Sequence, residues 1–284
     1  SATERASVVP EAELTPSVNP PTAEQNVPTA TPQPVADDSH VIEEADSIGK
    51  GGLKAKYKDN IAAIKLLFQL EREGRNSTAA ERKTLARWVG WGGLKGVFDA
   101  NNKQLATEHQ ELKALLNDEQ YKAARASILN AHYTEPKVVQ AMYQALEQLG
   151  FKGGRVLESS MGIGNFFGLM PKELRKDSQL FGVEKDEITA LLAKHLYPNA
   201  RVTHSGFEDY QVPAEFFDIA IGNPPFGSEP IVDSDRSPYS GFSIHNYFFA
   251  KQIDKLREGG LLINVVSHSF LDKMDTRQRS WIAE

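Results

Sequence analysis

The chain has 284 residues, 40% of them hydrophobic, so it is long enough for one large or two small domains with a sizeable core. Its net charge is −6, but residues 1–46 hold nine acidic residues and only one basic residue, Arg5, so the remainder is close to neutral and is not a histone-like basic block. Cysteine is absent and the seven histidines lack metal-ligand spacing, which excludes disulfides and thiolate metal sites, and we expect no metal.

Residues 1–46 are predicted to form a disordered, acidic, proline-rich tail. They contain seven prolines and almost no large apolar residues. Such a segment cannot bury enough surface to offset its chain entropy. The whole chain also lacks an apolar run of about 18 residues and a signal-peptide pattern, so we expect neither membrane insertion nor export.

Residues 47–130 show helical periodicity and are predicted to form a small all-α region. Asn60 is predicted to cap its first helix, and Gly74 to end that helix. Thr78 and Glu81 then match a capping box, in which each side chain bonds the other residue's backbone amide.

The stretch Trp88-Val89-Gly90-Trp91-Gly92-Gly93 follows the second helix. Two indoles with three glycines can form a stacking site for DNA. We favour the other interpretation, a tight turn whose tryptophans pack on the next domain.

Residues 131–284 alternate between strands and helices, which predicts an α/β domain with an open, Rossmann-like sheet. A helix begins at Pro136, which suits a first helical position. At least five strands are predicted, at 155–158, 180–184, 201–203, 216–222 and 261–266. In such a sheet, ligands bind at the carboxyl ends of the strands.

An acidic residue and two glycines follow the first of these strands. Glu158 precedes Ser160, Gly162 and Gly164, and the glycines allow close backbone approach to a ligand. The spacing differs from Gly-x-Gly-x-x-Gly, so a dinucleotide is disfavoured, and an acid ahead of the glycines suits a cofactor with an ammonium group. Glu184 ends the second strand 20 residues after Gly164, the spacing of a carboxylate that accepts both ribose hydroxyls.

Phe207, Glu208 and Asp209 follow the third strand. One aromatic ring and two acids can flank and hydrogen-bond an adenine ring. An ordinary turn is the alternative interpretation.

The fourth strand leads into the tetrad Asn223-Pro224-Pro225-Phe226. The Asn223 side-chain oxygen and the Pro224 carbonyl can accept both hydrogens of an exocyclic amine and draw its lone pair out of conjugation. Phe226 offers a face on which a base drawn from a duplex can stack. The alternative is a loop that ends the strand with two prolines and a buried Phe.

In this order the motifs resemble the S-adenosylmethionine-dependent methyltransferases that modify adenine N6 in DNA, and 223–226 matches their catalytic tetrad. The order of motifs is similar to their gamma-type arrangement. The segments 130–134 and 157–167 and the tryptophan stretch resemble large methyltransferase–helicase proteins of phages and conjugative elements. The likeness covers about 51–284 and predicts a class I methyltransferase sheet.

The resemblance implies S-adenosylmethionine as cofactor and DNA as partner. It implies direct methyl transfer to N6 that protects a phage or mobile element from host restriction, in the cytoplasm of a bacterial host or after carriage in a virion. The implied catalytic residues are Asn223, Pro224, Pro225 and Phe226. The implied cofactor-binding residues are Tyr133, Thr134, Glu158, Ser160, Gly162, Gly164, Glu184, Phe207, Glu208, Asp209 and Asn223.

Two departures from the family pattern stand out. Ser159 occupies a position where the pattern has proline. The family fold adds a sixth strand and an antiparallel seventh, and only 272–284, one predicted helix, follows the fifth strand here. We therefore expect a piece of a longer protein, with a helicase or the remaining methyltransferase segment elsewhere in the parent chain.

Three other functions stay open. A protein glutamine N5-methyltransferase uses a nearly identical tetrad on the same fold. A catalytically incomplete piece can bind DNA or partner proteins as an antirestriction or virion component. A nicotinamide-dependent oxidoreductase is disfavoured by the glycine spacing. In the DNA methyltransferase interpretation, the loop 228–243, with Arg236 and Tyr239, clamps the strand; the alternative is a disordered loop.

Overall fold

The computed structural model describes residues 38–43, 46, 48–129, 134–266 and 276–283. Its helices are α1 Leu53–Glu73, α2 Ala79–Leu85, α3 Ala106–Leu115, α4 Asp118–Ala126, α5 Pro136–Gln148, α6 Asn165–Leu169, α7 Lys172–Lys176, α8 Glu187–Leu196, α9 Ile244–Lys255 and α10 Thr276–Ala283. Its strands are β1 Arg155–Glu158, β2 Gln179–Glu184, β3 Arg201–His204, β4 Phe217–Gly222 and β5 Leu256–Asn264. No helix among these is long and apolar enough to cross a membrane.

The five described strands form one sheet in the order β3-β2-β1-β4-β5. Every pairing is parallel, with Glu158 opposite Gly182 and Gly222 opposite Asn264. The chain winds from β1 outward to β3, then crosses to the other side of β1 for β4 and β5. The topological switch point therefore lies between β1 and β4, and the predicted open α/β sheet is confirmed.

Hydrophobic residues cover both faces of the sheet. Neighbouring residues of β1 point to opposite faces, so Val156 belongs to one buried cluster and Leu157 to the other. The first cluster also contains Leu67 of α1 and Trp91, so the helical region and one face of the sheet share a continuous core.

The start of α1 differs from the prediction. The helix begins at Leu53, and Asn60 is a buried residue in its interior. Its side chain donates to the Gly90 carbonyl at 2.8 Å and accepts from the Val89 amide at 2.9 Å. Asn60 as a helix cap is therefore wrong, because it bonds the backbone of the tryptophan stretch instead of its own helix.

Other local predictions for the helical region are confirmed. Gly74 ends α1 in the left-handed conformation, and the capping box of Thr78 and Glu81 is formed. Trp88 and Trp91 are buried and meet edge to face at 5.4 Å. Their burial agrees with a packing role and leaves neither ring as a surface for DNA.

The predicted tail lies outside the described residues at 1–37, 44 and 45. Its described part, 38–43, runs against the sheet domain. The amide of His40 donates to the Leu196 carbonyl at 2.8 Å, and that of Ile42 donates to the Gly168 carbonyl at 3.0 Å. These bonds connect 38–43 to α6 and α8.

Candidate active site

Glu158 is the last residue of β1, and Asn223 directly follows the last residue of β4. The two residues therefore lie on either side of the switch point. The Ser160 hydroxyl donates to the Asn223 backbone carbonyl at 3.3 Å and joins the two loops. The sheet topology thus brings together residues 65 positions apart in sequence.

The glycine turn after β1 needs glycine at two positions. Gly162 and Gly164 both have left-handed backbone angles, with φ of 55° and 81°. A Cβ on Gly164 would lie 2.6 Å from the Tyr197 ring, whereas one on Gly162 would meet no atom within 4 Å. Gly164 is therefore required for packing, and Gly162 leaves open space beside the backbone.

Glu184, at the end of β2, is tied to this turn. Its Oε2 accepts from the Gly162 amide at 2.9 Å, and its Oε1 accepts from the Asp186 amide at 2.8 Å. Burial raises the pKa of Glu184 to about 7, although both backbone amides oppose that rise. Each carboxylate oxygen keeps a second lone pair that can accept a ligand hydroxyl.

Glu158 is the most enclosed carboxyl of the site, with 2% of its surface exposed. Burial, with a smaller contribution from the Glu184 charge, raises its pKa well above the ordinary value. Among the described residues, nothing hydrogen-bonds its Oε2 atom. A buried carboxyl of this kind gains from a cation or a donor placed against it.

The Asn223 amide has a defined orientation. Its Nδ2 donates to Thr134 Oγ1 at 3.1 Å. Its Oδ1 is buried and has no hydrogen-bond partner in the described part of the chain. The acceptor oxygen is therefore the end of the amide that remains for a ligand.

The rest of the tetrad packs against α9. The Pro225 carbonyl accepts from His245 Nδ1 at 3.1 Å, and the Phe226 ring stacks on the His245 imidazole. Pro224 is buried. His245 was not among the predicted site residues, because its contact with the tetrad joins positions 20 residues apart in sequence.

Phe207, Glu208 and Asp209 form a short 3₁₀ turn after β3. Phe207 is 2% exposed and packs on Phe248 in the second core, Asp209 is exposed, and Glu208 pairs with Lys185 at 2.8 Å. The Phe207 ring is thus part of the interior, and its contact with an adenine stays a prediction.

The buried Lys251 of α9 bonds the backbone of this turn. Its ammonium donates to the carbonyls of Phe207 and Glu208 at 2.7 and 3.1 Å. Burial lowers the pKa of Lys251. Sequence reasoning missed this residue, since a lysine in an amphipathic helix is ordinarily exposed.

Ser159, which departs from the family pattern, belongs to a buried polar chain. Its hydroxyl accepts from Gln252 Nε2 at 2.7 Å, and Gln252 Oε1 accepts from Asn264 Nδ2 at 2.6 Å. Gln252 is fully buried. The serine therefore connects β1 to α9 and β5, which a proline could not do.

The loop 228–243 is organised around a buried aspartate. Asp233 accepts from the Ser237 amide at 3.0 Å and from the Tyr247 hydroxyl at 3.0 Å. Tyr239 is buried and donates to Asp254. The predicted contact of Tyr239 with a DNA strand is wrong, because its ring is part of the core, whereas a contact of the exposed Arg236 stays a prediction. The disordered alternative is wrong, because these bonds order the loop.

Several of the predicted site residues form two hydrogen-bonded groups at the sheet edge. Direct hydrogen bonds link Gly162 to Glu184, and Thr134 and Ser160 to Asn223. Tyr133 lies outside the described residues.

One comparison concerns the segment that contains the tetrad. Residues 196–284 match the family model described as Eco57I restriction-modification methylase. The matched segment includes Asn223, Phe226 and His245.

Two curated proteins are similar to the chain. Defense against restriction protein B of Escherichia phage P1 is 24% identical over 226 residues, which are 78% of this chain and 8% of that protein. Type II methyltransferase M.TthHB8I of Thermus thermophilus is 29% identical over 154 residues, 49% of this chain and 34% of that protein. The matches relate the chain to restriction–modification methyltransferases and to a phage protein for defence against restriction, and it spans only a minor part of either relative.

Solved structures with a similar fold include two methyltransferase proteins. A Listeria monocytogenes protein described as a class I S-adenosylmethionine-dependent methyltransferase is 15% identical, covers 81% of this chain and 78% of its own, and has a TM-score of 0.42. The methyltransferase subunit of a Streptococcus thermophilus type I restriction-modification system is 14% identical. The match covers 81% of this chain and 72% of that subunit, and its TM-score is also 0.42. The order β3-β2-β1-β4-β5 is that of an open Rossmann-like sheet, as predicted, and these structures are similar to the chain in fold alone.

Proposed function

We propose that this chain transfers a methyl group from S-adenosylmethionine to N6 of adenine in DNA. The observation that carries the proposal is the Asn223 amide at the switch point. Thr134 engages its nitrogen, and its buried oxygen has no partner within the described residues. This is the acceptor that an exocyclic amine needs.

The residues around the glycine turn fit S-adenosylmethionine. Gly162 leaves open space beside the backbone, Glu158 presents a buried carboxyl oxygen with no partner among the described residues, and Glu184 is held by two amides with acceptor capacity to spare. We assign Glu158 to the ammonium end and Glu184 to the ribose. The cofactor, when bound, supplies a methyl group activated on sulfonium.

The chain's own residues would act by orientation and electrostatics. Asn223 Oδ1 accepts a hydrogen bond from the adenine amine, which localises the nitrogen lone pair and raises its nucleophilicity. The Pro224 carbonyl is proposed to accept a hydrogen bond from the second hydrogen of the amine. Phe226 stacks against the flat face of the base. No covalent intermediate with the protein is required.

Charge distribution supports DNA as the partner. The helical segment 53–129 contains 14 Lys and Arg residues against nine Asp and Glu residues, whereas 134–266 contains 13 against 17. We propose that 47–130 is a helical region that contributes positive charge to a DNA-binding surface, and that 131–284 is the methyltransferase domain.

The similarity to restriction–modification methylases favours DNA over a protein glutamine as substrate. The similarity to the phage P1 protein supports a role in protecting phage or mobile-element DNA from host restriction, within a bacterial cytoplasm or a virion. The chain spans only a minor part of these relatives. We therefore propose that segments like those in the rest of the relatives act together with this chain.

The test begins with calorimetric titration of S-adenosylmethionine into the chain. Plasmid DNA that lacks N6-methyladenine or, in a parallel reaction, a bacterial protein extract is then added, and mass spectrometry of the nucleosides or of the peptides measures the product. Binding followed by N6-methyladenine supports the proposal. Methylated protein glutamine with no methylated adenine would overturn it in favour of the glutamine methyltransferase. Cofactor binding with no product on either substrate would favour the catalytically incomplete DNA- or partner-binding component.

Asn223→Ala separates the proposed catalytic role from cofactor binding. We expect it to lose transfer by about two to three orders of magnitude with little change in cofactor affinity. Asn101→Ala, which changes an exposed asparagine in the helical region, is the control and should alter neither the transfer rate nor the cofactor affinity. Equal loss of affinity and rate in Asn223→Ala would indicate a structural role.

A further inference from the structure

His245 lies in the first turn of α9, directly behind the tetrad. Its ring centroid is 5.0 Å from that of Phe226, with an angle of 27° between the planes. Its Nδ1 lies 3.1 Å from the Pro225 carbonyl oxygen. Only 6% of the residue is exposed. One side chain thus contacts two of the four tetrad residues by two different interactions.

These contacts define the chemical form of the imidazole. A carbonyl oxygen can only accept a hydrogen bond, so Nδ1 must carry the hydrogen. Burial lowers the pKa of His245, which favours the neutral ring near pH 7. The neutral ring stacks on Phe226, and its Nδ1 hydrogen bonds the carbonyl of Pro225, the residue before Phe226.

We propose that His245 is the positioning residue of the tetrad: its stack with Phe226 and its bond to Pro225 form a two-ring platform that receives a flat purine base. The inference rests on the proposed function and adds a residue to it. His245 is covered by the Phe226 ring on one face, so it acts through Phe226. Removing it should disturb the placement of the target base and leave the cofactor residues of β1 and β2 in place.

Three substitutions separate the two contacts. His245→Phe keeps a ring and loses the donor, His245→Gln keeps a donor and loses the ring, and His245→Ala loses both. We expect kcat for DNA methylation to fall about 100-fold in His245→Ala and less in His245→Phe. The affinity for S-adenosylmethionine should stay at the wild-type value in all three variants.

His109 offers a matched control far along the chain. Its Nδ1 is 2.8 Å from the Val97 carbonyl oxygen, and its ring meets Tyr121 edge to face. His109→Ala therefore removes the same type of contact from the helical region. His109 is not one of the Lys and Arg residues proposed to face DNA, so the change should leave kcat at saturating DNA and cofactor affinity unchanged.

A second readout does not depend on catalysis. Nuclear magnetic resonance spectra are recorded on protein with labelled Phe and His, and Phe226→Leu assigns the Phe226 ring signals. These signals should shift in His245→Ala and stay in place in His109→Ala. The His245 nitrogen shifts should report a hydrogen on Nδ1. Unmoved Phe226 signals, or a hydrogen on Nε2 alone, would overturn the inference.

The outcomes distinguish this inference from the proposed function. A wild-type chain that methylates no DNA counts against the proposed function, and the Phe226 signals then decide the role of His245. A parallel fall of kcat, cofactor affinity and melting temperature in His245→Phe would show a general structural role and would also overturn it.

Discussion

The side-chain amide of Asn223 donates to Thr134 Oγ1 at 3.1 Å, across 89 residues of sequence. This bond connects the tetrad to the segment just before α5. It also distinguishes the two ends of the amide, since Oδ1 is buried and has no partner among the described residues. A residue predicted to bind the cofactor therefore orients one predicted to act on the target base.

Thr134→Val tests this orientation. Valine has a similar shape but no acceptor, so the Asn223 amide can rotate and present its nitrogen to the target amine. We expect kcat/KM for methylation to fall about tenfold, the effect of roughly one lost hydrogen bond. Initial rates at saturating S-adenosylmethionine measure it. Thr134→Ser keeps the hydroxyl and should stay close to wild type; equal losses in both variants would contradict the orienting role.

The raised pKa of Glu184 predicts how the ligand-free chain responds to pH. Its pKa is about 7 in the folded chain, against an ordinary value of 4.5, so the folded state binds more protons than the unfolded state between these values. Its contribution to stability is therefore present below pH 4.5 and is lost as pH rises to about 7. Glu158, also raised, acts in the same direction.

Urea unfolding across that pH range measures the effect. Glu184→Gln should flatten the fall in unfolding free energy, because glutamine does not ionise. Glu187→Gln changes an exposed carboxyl three residues away and should keep the wild-type slope. A Glu184→Gln curve parallel to that of the wild type would show that Glu184 does not titrate in this window.

Local rules predicted much of the fold because they depend on neighbouring residues. The capping box at Thr78, the glycine stop at Gly74 and the helix start at Pro136 are all present. The strands were predicted to within a few residues except β5, which begins at Leu256, five residues earlier than expected. Short β-branched runs between helices specify such a sheet with little help from tertiary contacts.

The failures share a physical cause, which is that buried polar side chains choose distant partners. Asn60 has the side chain of a good helix cap, yet it bonds a loop 30 residues away. Gln252 and Lys251 are polar residues in a helix, and both bond loops at the carboxyl ends of strands. Periodicity identifies the apolar face of a helix, but it does not reveal which polar residue on that face has a partner.

Gly182→Ala tests how β2 accommodates the glycine turn. Met161 packs directly over Gly182, and an added Cβ would overlap its sulfur. Met161 is buried, so its thioether can move aside only by displacing its neighbours. We expect a loss of about 1–3 kcal/mol in unfolding free energy and weaker cofactor binding.

Two variants check the cause of that loss. Gly93→Ala, where a Cβ would meet no atom within 4 Å, should be close to neutral. Adding Met161→Ala to Gly182→Ala removes the overlapping sulfur and should recover part of the stability relative to the sum of the single changes. Strict additivity of the two substitutions would rule out the overlap as the cause.

Lys251→Met tests whether the turn after β3 binds the adenine end of the cofactor. Methionine retains most of the side-chain volume and removes the ammonium, which leaves the carbonyls of Phe207 and Glu208 without their donor. We expect a loss of about 1–3 kcal/mol in unfolding free energy. Affinities for S-adenosylmethionine and for adenosine should fall by the same factor, because both ligands contain the adenine. Lys255→Met, on the same helix, removes an ion pair with Asp254 and should leave both affinities unchanged. A fall in S-adenosylmethionine affinity with unaltered adenosine binding would place the adenine elsewhere.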